Sequence, residues 1–190
     1  MIKQRIAIFA SGSGSNAMNL IQYFERNTSI EVAFVLSNRE TAPILEKAKK
    51  VGVKTFCFTN EQVADASFLN EICQKEQIDW VILAGYLRLI PAEFILQFER
   101  KMINLHPALL PNYGGKGMFG ENVHKAVLAN NEKETGITIH YVNAEFDKGR
   151  NIAQFYCEIS LDETISSLQE KIHLLEHNYL PKVVETEILA

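Results

Sequence analysis

Asn104 and His106 alternate with Ile103 and Leu105 in the run Met102-Ile103-Asn104-Leu105-His106-Pro107-Ala108-Leu109-Leu110-Pro111. The first half reads as a buried strand and the second as a proline-punctuated loop. Period-two geometry puts the carboxamide and the imidazole on one face. Pro107 has no N–H for a ladder, so the strand ends at His106. A donor amide and a titratable ring at a strand end can polarise a carbonyl and move a proton, and strand ends are where open α/β sheets bind ligands. Taken alone, the pair fits equally well a core histidine beside a structural asparagine, each bonded to backbone.

A second chemical stretch lies near the start. Residues 5–10 form a short apolar run, a central parallel strand, and Ser11-Gly12-Ser13-Gly14-Ser15-Asn16 follows at once. Ala17, Leu20, Ile21 and Phe24 then recur at helical spacing. Strand, Gly/Ser turn and helix form a phosphate cradle: glycines let backbone approach, hydroxyls donate, and the helix start offers free N–H groups. Gly12-x-Gly14-x-x-Ala17 also fits a relaxed dinucleotide fingerprint, but the second strand, residues 30–36, ends in Ser37-Asn38-Arg39 rather than an acidic residue. No P-loop lysine is present. The turn favours a phosphomonoester over a dinucleotide, with a tight βα turn that holds no ligand as the remaining alternative.

These groups need a frame to position them. Residues 42–51 read as a helix stopped by Gly52, residues 53–58 as a third strand, residues 66–77 as a helix and residues 79–84 as a fourth, doubly buried strand. The apolar stretch at 85–90 leaves the sheet carrying one charge, Arg88, and can wall a flat organic ligand. A short helix spans 91–98, and the Asn104/His106 strand is fifth. Residues 111–120 hold four of the ten glycines beside the suspected site, as a ligand cover or a loose connection. Residues 121–129 form a helix whose His124 reads as a surface or packing residue. Residues 136–142 alternate as a strand in which His140 has no assigned role, and Asp147-Lys148-Gly149 lies in the following turn. After a strand at 151–159, a helix capped by Ser160 or Asp162 runs through Ile165, Leu168, Ile172, Leu175, Tyr179 and Val183. Pro181 should kink it by displacing the carbonyl of His177. The βαβα order implies an α/β, Rossmann-like, doubly wound and mostly parallel sheet, with antiparallel strands added on the C-terminal side and a long C-terminal helix.

Composition bounds the function. The 190 residues suit one domain, 1–190, with a substantial core. A net charge of −4 argues against general nucleic-acid or anionic-membrane binding. Cys57, Cys73 and Cys157 are scattered, which suits neither a disulfide framework nor a zinc site and fits a reducing cytoplasm. No stretch approaches a membrane span, and the N-terminal apolar run is too short for a signal peptide.

Together these motifs resemble the folate-dependent formyltransferases, on the branch acting on phosphoribosylglycinamide in purine biosynthesis. The resemblance covers nearly the whole chain. It is carried by N-x-H-P-x-L-L-P at residues 104–111, S-G-x-G-S-N at 11–16, A-G-[FY]-x-R at 84–88 and D-x-G at Asp147, in the family's order. It implies that Asn104, His106 and Asp147 form the catalytic set. The turn from Gly12 and Ser13 through Gly14, Ser15 and Asn16 would hold the substrate phosphate, and Glu176 would contact the substrate. Leu87, Arg88, Leu89 and Ile90, with Asn104, would line the pocket of 10-formyltetrahydrofolate, the co-substrate. The partners implied are small molecules alone, acting on a monomer or homodimer without nucleic acid, membrane or metal. Arg150 departs from the proline usual after the D-x-G turn, and an arginine common in relatives has no counterpart at 61–66.

The chemistry follows from the groups. An amine attacks a formamide-like carbonyl, whose oxygen gains negative charge. Asn104 and a protonated His106 would donate to it. An adjacent Asp147 carboxylate would raise the His106 pKa and help carry the amine's proton toward the leaving folate nitrogen. Formyl-folate hydrolysis shares the set with water as nucleophile, but its enzymes usually carry an extra N-terminal domain. Formylation of methionyl-tRNA calls for an RNA-binding domain and a basic face. A noncatalytic nucleotide-binding module would leave Asn104, His106 and Asp147 without purpose.

Overall fold

The computed structural model describes residues 3–190. Five apolar runs become parallel strands: β1 (Gln4–Phe9), β2 (Ile30–Ser37), β3 (Lys54–Cys57), β4 (Trp80–Leu83) and β5 (Met102–His106). Between them stand α1 (Ser15–Phe24), α2 (Pro43–Lys50), the single turn α3 (Asn60–Val63), α4 (Ala66–Lys75) and α5 (Ala92–Gln97). Then come α6 (Glu121–Ala129), β6 (Glu134–Tyr141), β7 (Asn151–Glu158) and the closing helix α7 (Ile165–Leu189). The strands form one sheet in the order β3-β2-β1-β4-β5-β6-β7, with β6 and β7 antiparallel. This is the doubly wound sheet with antiparallel additions that the alternation of elements implied. Helix α3 has no counterpart in the hydrophobic pattern, because a polar device, the Thr59–Gln62 capping box, holds it.

Each face of the sheet has its own core. Ile6, Ile8, Ile82 and Ile103 pack under α1, α2, α6 and α7, while Ala7, Phe9, Val81 and Met102 pack under α4 and α5. Ile103 and Leu105 both enter the first core. Strand alternation therefore turns Asn104 and His106 to the opposite face, beyond Met102. Strand order reverses between β1 and β4, and the loops leaving β1, β4 and β5 open a crevice there.

Helix α7 closes that crevice, and it departs from expectation in its cap and in its buried stripe. Thr164 caps it by a reciprocal exchange with Ser167, while Ser160 and Glu163 pair in the turn before. The helix runs through Pro181 without interruption. The His177 carbonyl, which Pro181 cannot reach with a donor, accepts instead from Asn19 Nδ2 of α1 at 2.8 Å. The buried stripe runs from Leu168 and Ile172 to Leu180, Val184 and Ile188, leaving Leu175, Tyr179 and Val183 half-buried. Such drift arises when a period of 3.6 runs past a repeat of threes and fours.

Candidate active site

Asn104 and His106 emerge at the carboxyl end of β5 into a cavity of about 880 Å³. Antiparallel pairing sets His140 of β6 opposite Asn104, so a second histidine joins the pair. Asn104 Nδ2 lies 3.0 Å from His140 Nε2 and donates to Asp147 Oδ1 at 3.3 Å. His140 Nδ1 sits 2.8 Å from the Tyr141 carbonyl, which only accepts, so Nδ1 carries the hydrogen and Nε2 accepts from Asn104. Both amide hydrogens of Asn104 are thus engaged within the protein. His106 Nε2 donates to the Tyr113 carbonyl at 2.8 Å, and its Nδ1 faces Asp147 Oδ2 at 3.5 Å.

The turn between β6 and β7 delivers Asp147. Asn143 ties that turn by accepting from the Glu145 N–H and donating to the Lys148 carbonyl. Asp147 takes a left-handed φ of 56°, which aspartate tolerates better than most residues. At Gly149 the chain presses against β6, where a Cβ would fall 1.6 Å from the Tyr141 carbonyl oxygen. The spacing Asp-x-Gly therefore has a structural cause at both ends. The glycine-rich loop completes the hold: the Gly115 N–H donates to Asp147 Oδ2 at 2.9 Å, and the same loop supplies the Tyr113 carbonyl. Residues 115–120 line the cavity, so this loop covers it.

Charge in the cluster is set first by burial. His106 is 3% exposed, and desolvation pushes its pKa below the ordinary histidine value despite the opposing pull of Asp147 and the Tyr113 carbonyl. The expected rise from Asp147 is present but outweighed. Burial raises the Asp147 carboxyl, yet the hydrogen bonds it accepts, that of the Gly115 N–H among them, and the neighbouring His106 ring bring it below the usual range. At rest the pair is a carboxylate beside a neutral imidazole, with Nδ1 3.5 Å from Asp147 Oδ2.

One end of the cavity is the Gly/Ser turn. Gly14, at φ 69°, precedes α1, and a Cβ there would fall 2.4 Å from Ile44 Cβ of α2. The first N–H groups of α1 lack helical partners, as at any helix start, and present partial positive charge. Ser13, Ser15 and Asn16 line the cavity, while Gly12 and Gly14 shape the turn without lining it. Asn16 Nδ2 donates to Glu176 Oε2 of α7 at 2.9 Å, and His173 Nδ1 approaches the same oxygen at 3.3 Å. Ser11 joins this turn to the loop after β4: its N–H donates to the Gly85 carbonyl at 3.0 Å, and its hydroxyl accepts from the Leu87 N–H at 3.1 Å.

The other end is that loop, where Leu87, Arg88, Leu89 and Ile90 line the wall. Arg150 is absent from the cavity lining, and its guanidinium stands 5.0 Å over the Tyr141 ring. His124 is 4% exposed and lines the cavity, so it is a buried residue of the site rather than a surface one. His140 escapes sequence reasoning because only the β5–β6 register sets it against Asn104. Among the described residues, no group of three or more His, Cys, Asp or Glu could hold a metal ion, and no helix is long and apolar enough to cross a membrane.

Residues 4–184 match the family model described as formyl transferase. The chloroplastic phosphoribosylglycinamide formyltransferase of Arabidopsis thaliana is 35% identical over 96% of this chain and 64% of its own length; that of Vigna unguiculata is 34% identical over 96% and 60%. The chain thus spans under two thirds of these curated relatives. Among solved structures, phosphoribosylglycinamide formyltransferase from Anaplasma phagocytophilum superposes with a TM-score of 0.88 at 31% identity, covering 97% of this chain and 86% of that one. Glycinamide ribonucleotide transformylase 1 from Geobacillus kaustophilus gives 0.86 at 36%, covering 96% and 97%.

Proposed function

The chain belongs to the formyl transferase family, and we propose that it transfers the formyl group of 10-formyltetrahydrofolate to the amine of 5-phosphoribosylglycinamide. The products are formylglycinamide ribonucleotide and tetrahydrofolate, in purine biosynthesis. One observation carries this reading: an Asn–His–Asp cluster sits in a single cavity between an anion-favouring helix start and an apolar loop. That order matches a phosphorylated amine on one side and a flat heterocycle on the other. The turn formed by Gly12, Ser13, Gly14, Ser15 and Asn16 takes the phosphate, and Glu176 contacts the same substrate. Leu87, Arg88, Leu89, Ile90 and Asn104 face the folate. Residues 1–190 act as one catalytic domain, a cytoplasmic monomer or homodimer that needs only small-molecule substrates.

In this reading the amine attacks the formyl carbon as the carbonyl π pair moves onto oxygen. Asn104 turns the hydrogen it gives Asp147, the longer of its two bonds, toward that oxygen. The new C–N bond acidifies the amine, and His106 Nδ1 takes its proton. The resulting imidazolium lies beside the Asp147 carboxylate, which stabilises it. The same proton passes to the folate nitrogen as its bond to the formyl carbon breaks, and His106 returns neutral. A neutral His106 at rest suits this role, because it must begin as a base. The test is mass spectrometry of the glycinamide substrate after incubation with enzyme and 10-formyltetrahydrofolate. A mass gain of one formyl group is expected; an unchanged substrate with folded protein overturns the proposal.

A further inference from the structure

We propose that His173 makes recognition of the substrate phosphate depend on a proton: its imidazolium donates to the phosphate through Nε2, and the neutral ring does not. The inference rests on the reading of the Gly/Ser turn as the phosphate site and deepens it.

His173 stands one helical turn before Glu176 on α7. Its Nδ1 lies 3.3 Å from Glu176 Oε2, the same oxygen that accepts from Asn16 Nδ2 at 2.9 Å. Glu176 therefore joins the ring to the start of α1, where the turn presents Ser13, Ser15 and Asn16 to the cavity. A carboxylate only accepts, so Nδ1 carries a hydrogen whenever this contact is made. In the neutral ring Nε2 then offers a lone pair, and a phosphate oxygen beside it would meet an acceptor. Protonation converts Nε2 to a donor and adds a charge-assisted hydrogen bond. The ring lines the cavity with its side chain 42% exposed, so a ligand can reach it.

The surrounding charges favour this residue as the switch. On α7 it faces Glu176 and the His177 ring, whose centroid is 4.1 Å away, and Glu170 of the preceding turn lines the same cavity. His124 of α6, His106 of β5 and Lys116 of the glycine-rich loop also line it, whereas the α1 turn contributes no titratable group. The Glu176 hydrogen bond raises the His173 pKa, while burial lowers those of His106, His124 and His177. His173 therefore holds a second proton to higher pH than His106, His124 or His177. Phosphate affinity is accordingly full below the ordinary histidine value and is lost as pH rises through the raised one.

The experiment is a calorimetric titration of phosphoribosylglycinamide into wild type, His173→Lys and His173→Gln from about pH 6 to 9, with formyl transfer assayed on the same wild-type preparation. Titration of the substrate's own phosphate and amine is common to all three proteins and cancels in ratios of Kd. The wild-type to His173→Lys ratio should rise about tenfold across the range, as one charge-assisted bond is lost in wild type alone. The wild-type to His173→Gln ratio should start well below one and approach one at high pH. Ratios that stay flat, with transfer intact, overturn this inference and leave the function standing. Absence of both binding and transfer in wild type overturns the function, and this inference with it.

Discussion

The resting charge of His106 decides what the residue can do. Its ring has one nitrogen committed to the Tyr113 carbonyl and the other turned toward Asp147. Burial favours its neutral form, so in the proposed transfer it begins as a base and becomes an acid only after taking the amine's proton. His106→Ala is expected to lower turnover by about 100–10,000-fold, the usual span for a positioned acid–base group, with circular dichroism unchanged. A wild-type rate in that variant contradicts the role. Histidine NMR gives the sharper check. The His106 titration should fall below the ordinary value of about 6.5. Since Asp147 opposes the effect of burial, Asp147→Asn should move that titration lower still. A shift upward would mean that the carboxylate does not act on the ring.

Elements place these residues, and some of their supports lie far from the chemistry. Helix α7 carries Glu176 and His173 into the cavity and continues through Pro181, where Asn19 bonds the freed His177 carbonyl. Asn19→Ala should cost about 1 kcal/mol, seen as a melting temperature lower by a few degrees. An unchanged melting temperature would show that solvent satisfies the carbonyl equally well. The β6–β7 turn is less forgiving. Gly149→Ala forces a Cβ onto the Tyr141 carbonyl, so the turn bearing Asp147 must move and activity should drop far more than expression. Much of this frame was legible in the sequence: the alternation at 102–106, the Gly/Ser turn and the order of strands and helices each have one local cause. Helix α3, the Thr164 cap and the bonded His177 carbonyl depend on polar contacts that leave no hydrophobic period. His140 and the buried state of His124 depend on register and on helix packing across the cavity, relations between segments distant in sequence. The neutral state of His106 has the same kind of cause, since desolvation is a property of the assembled site.

Across the whole molecule, all five histidines gather at one cavity, as lining or, for His177, packed against the His173 ring, and the four whose pKa values shift make stability depend on pH. His106, His124 and His177 have folded pKa values below the unfolded value, so the folded state binds fewer protons as pH falls. Their penalty is absent above about pH 6.5 and grows as pH drops through that value toward the lowered ones. His173, raised by Glu176, acts in the opposite sense: its contribution is full at low pH and lost as pH rises through its folded value. With three against one, the melting temperature should fall by a few degrees between about pH 7.5 and 5.5, and His124→Gln should flatten that fall. A melting temperature that rises on acidification contradicts the assigned directions. The same gathering of residues, between the Gly/Ser turn and the apolar loop after β4 that the proposal gives to phosphate and folate, makes formyl transfer the central claim. Its most direct test follows tetrahydrofolate release from 10-formyltetrahydrofolate spectrophotometrically, with and without phosphoribosylglycinamide. Release that requires the glycinamide is expected; release at the same rate without it would make the protein a hydrolase and contradict the transfer.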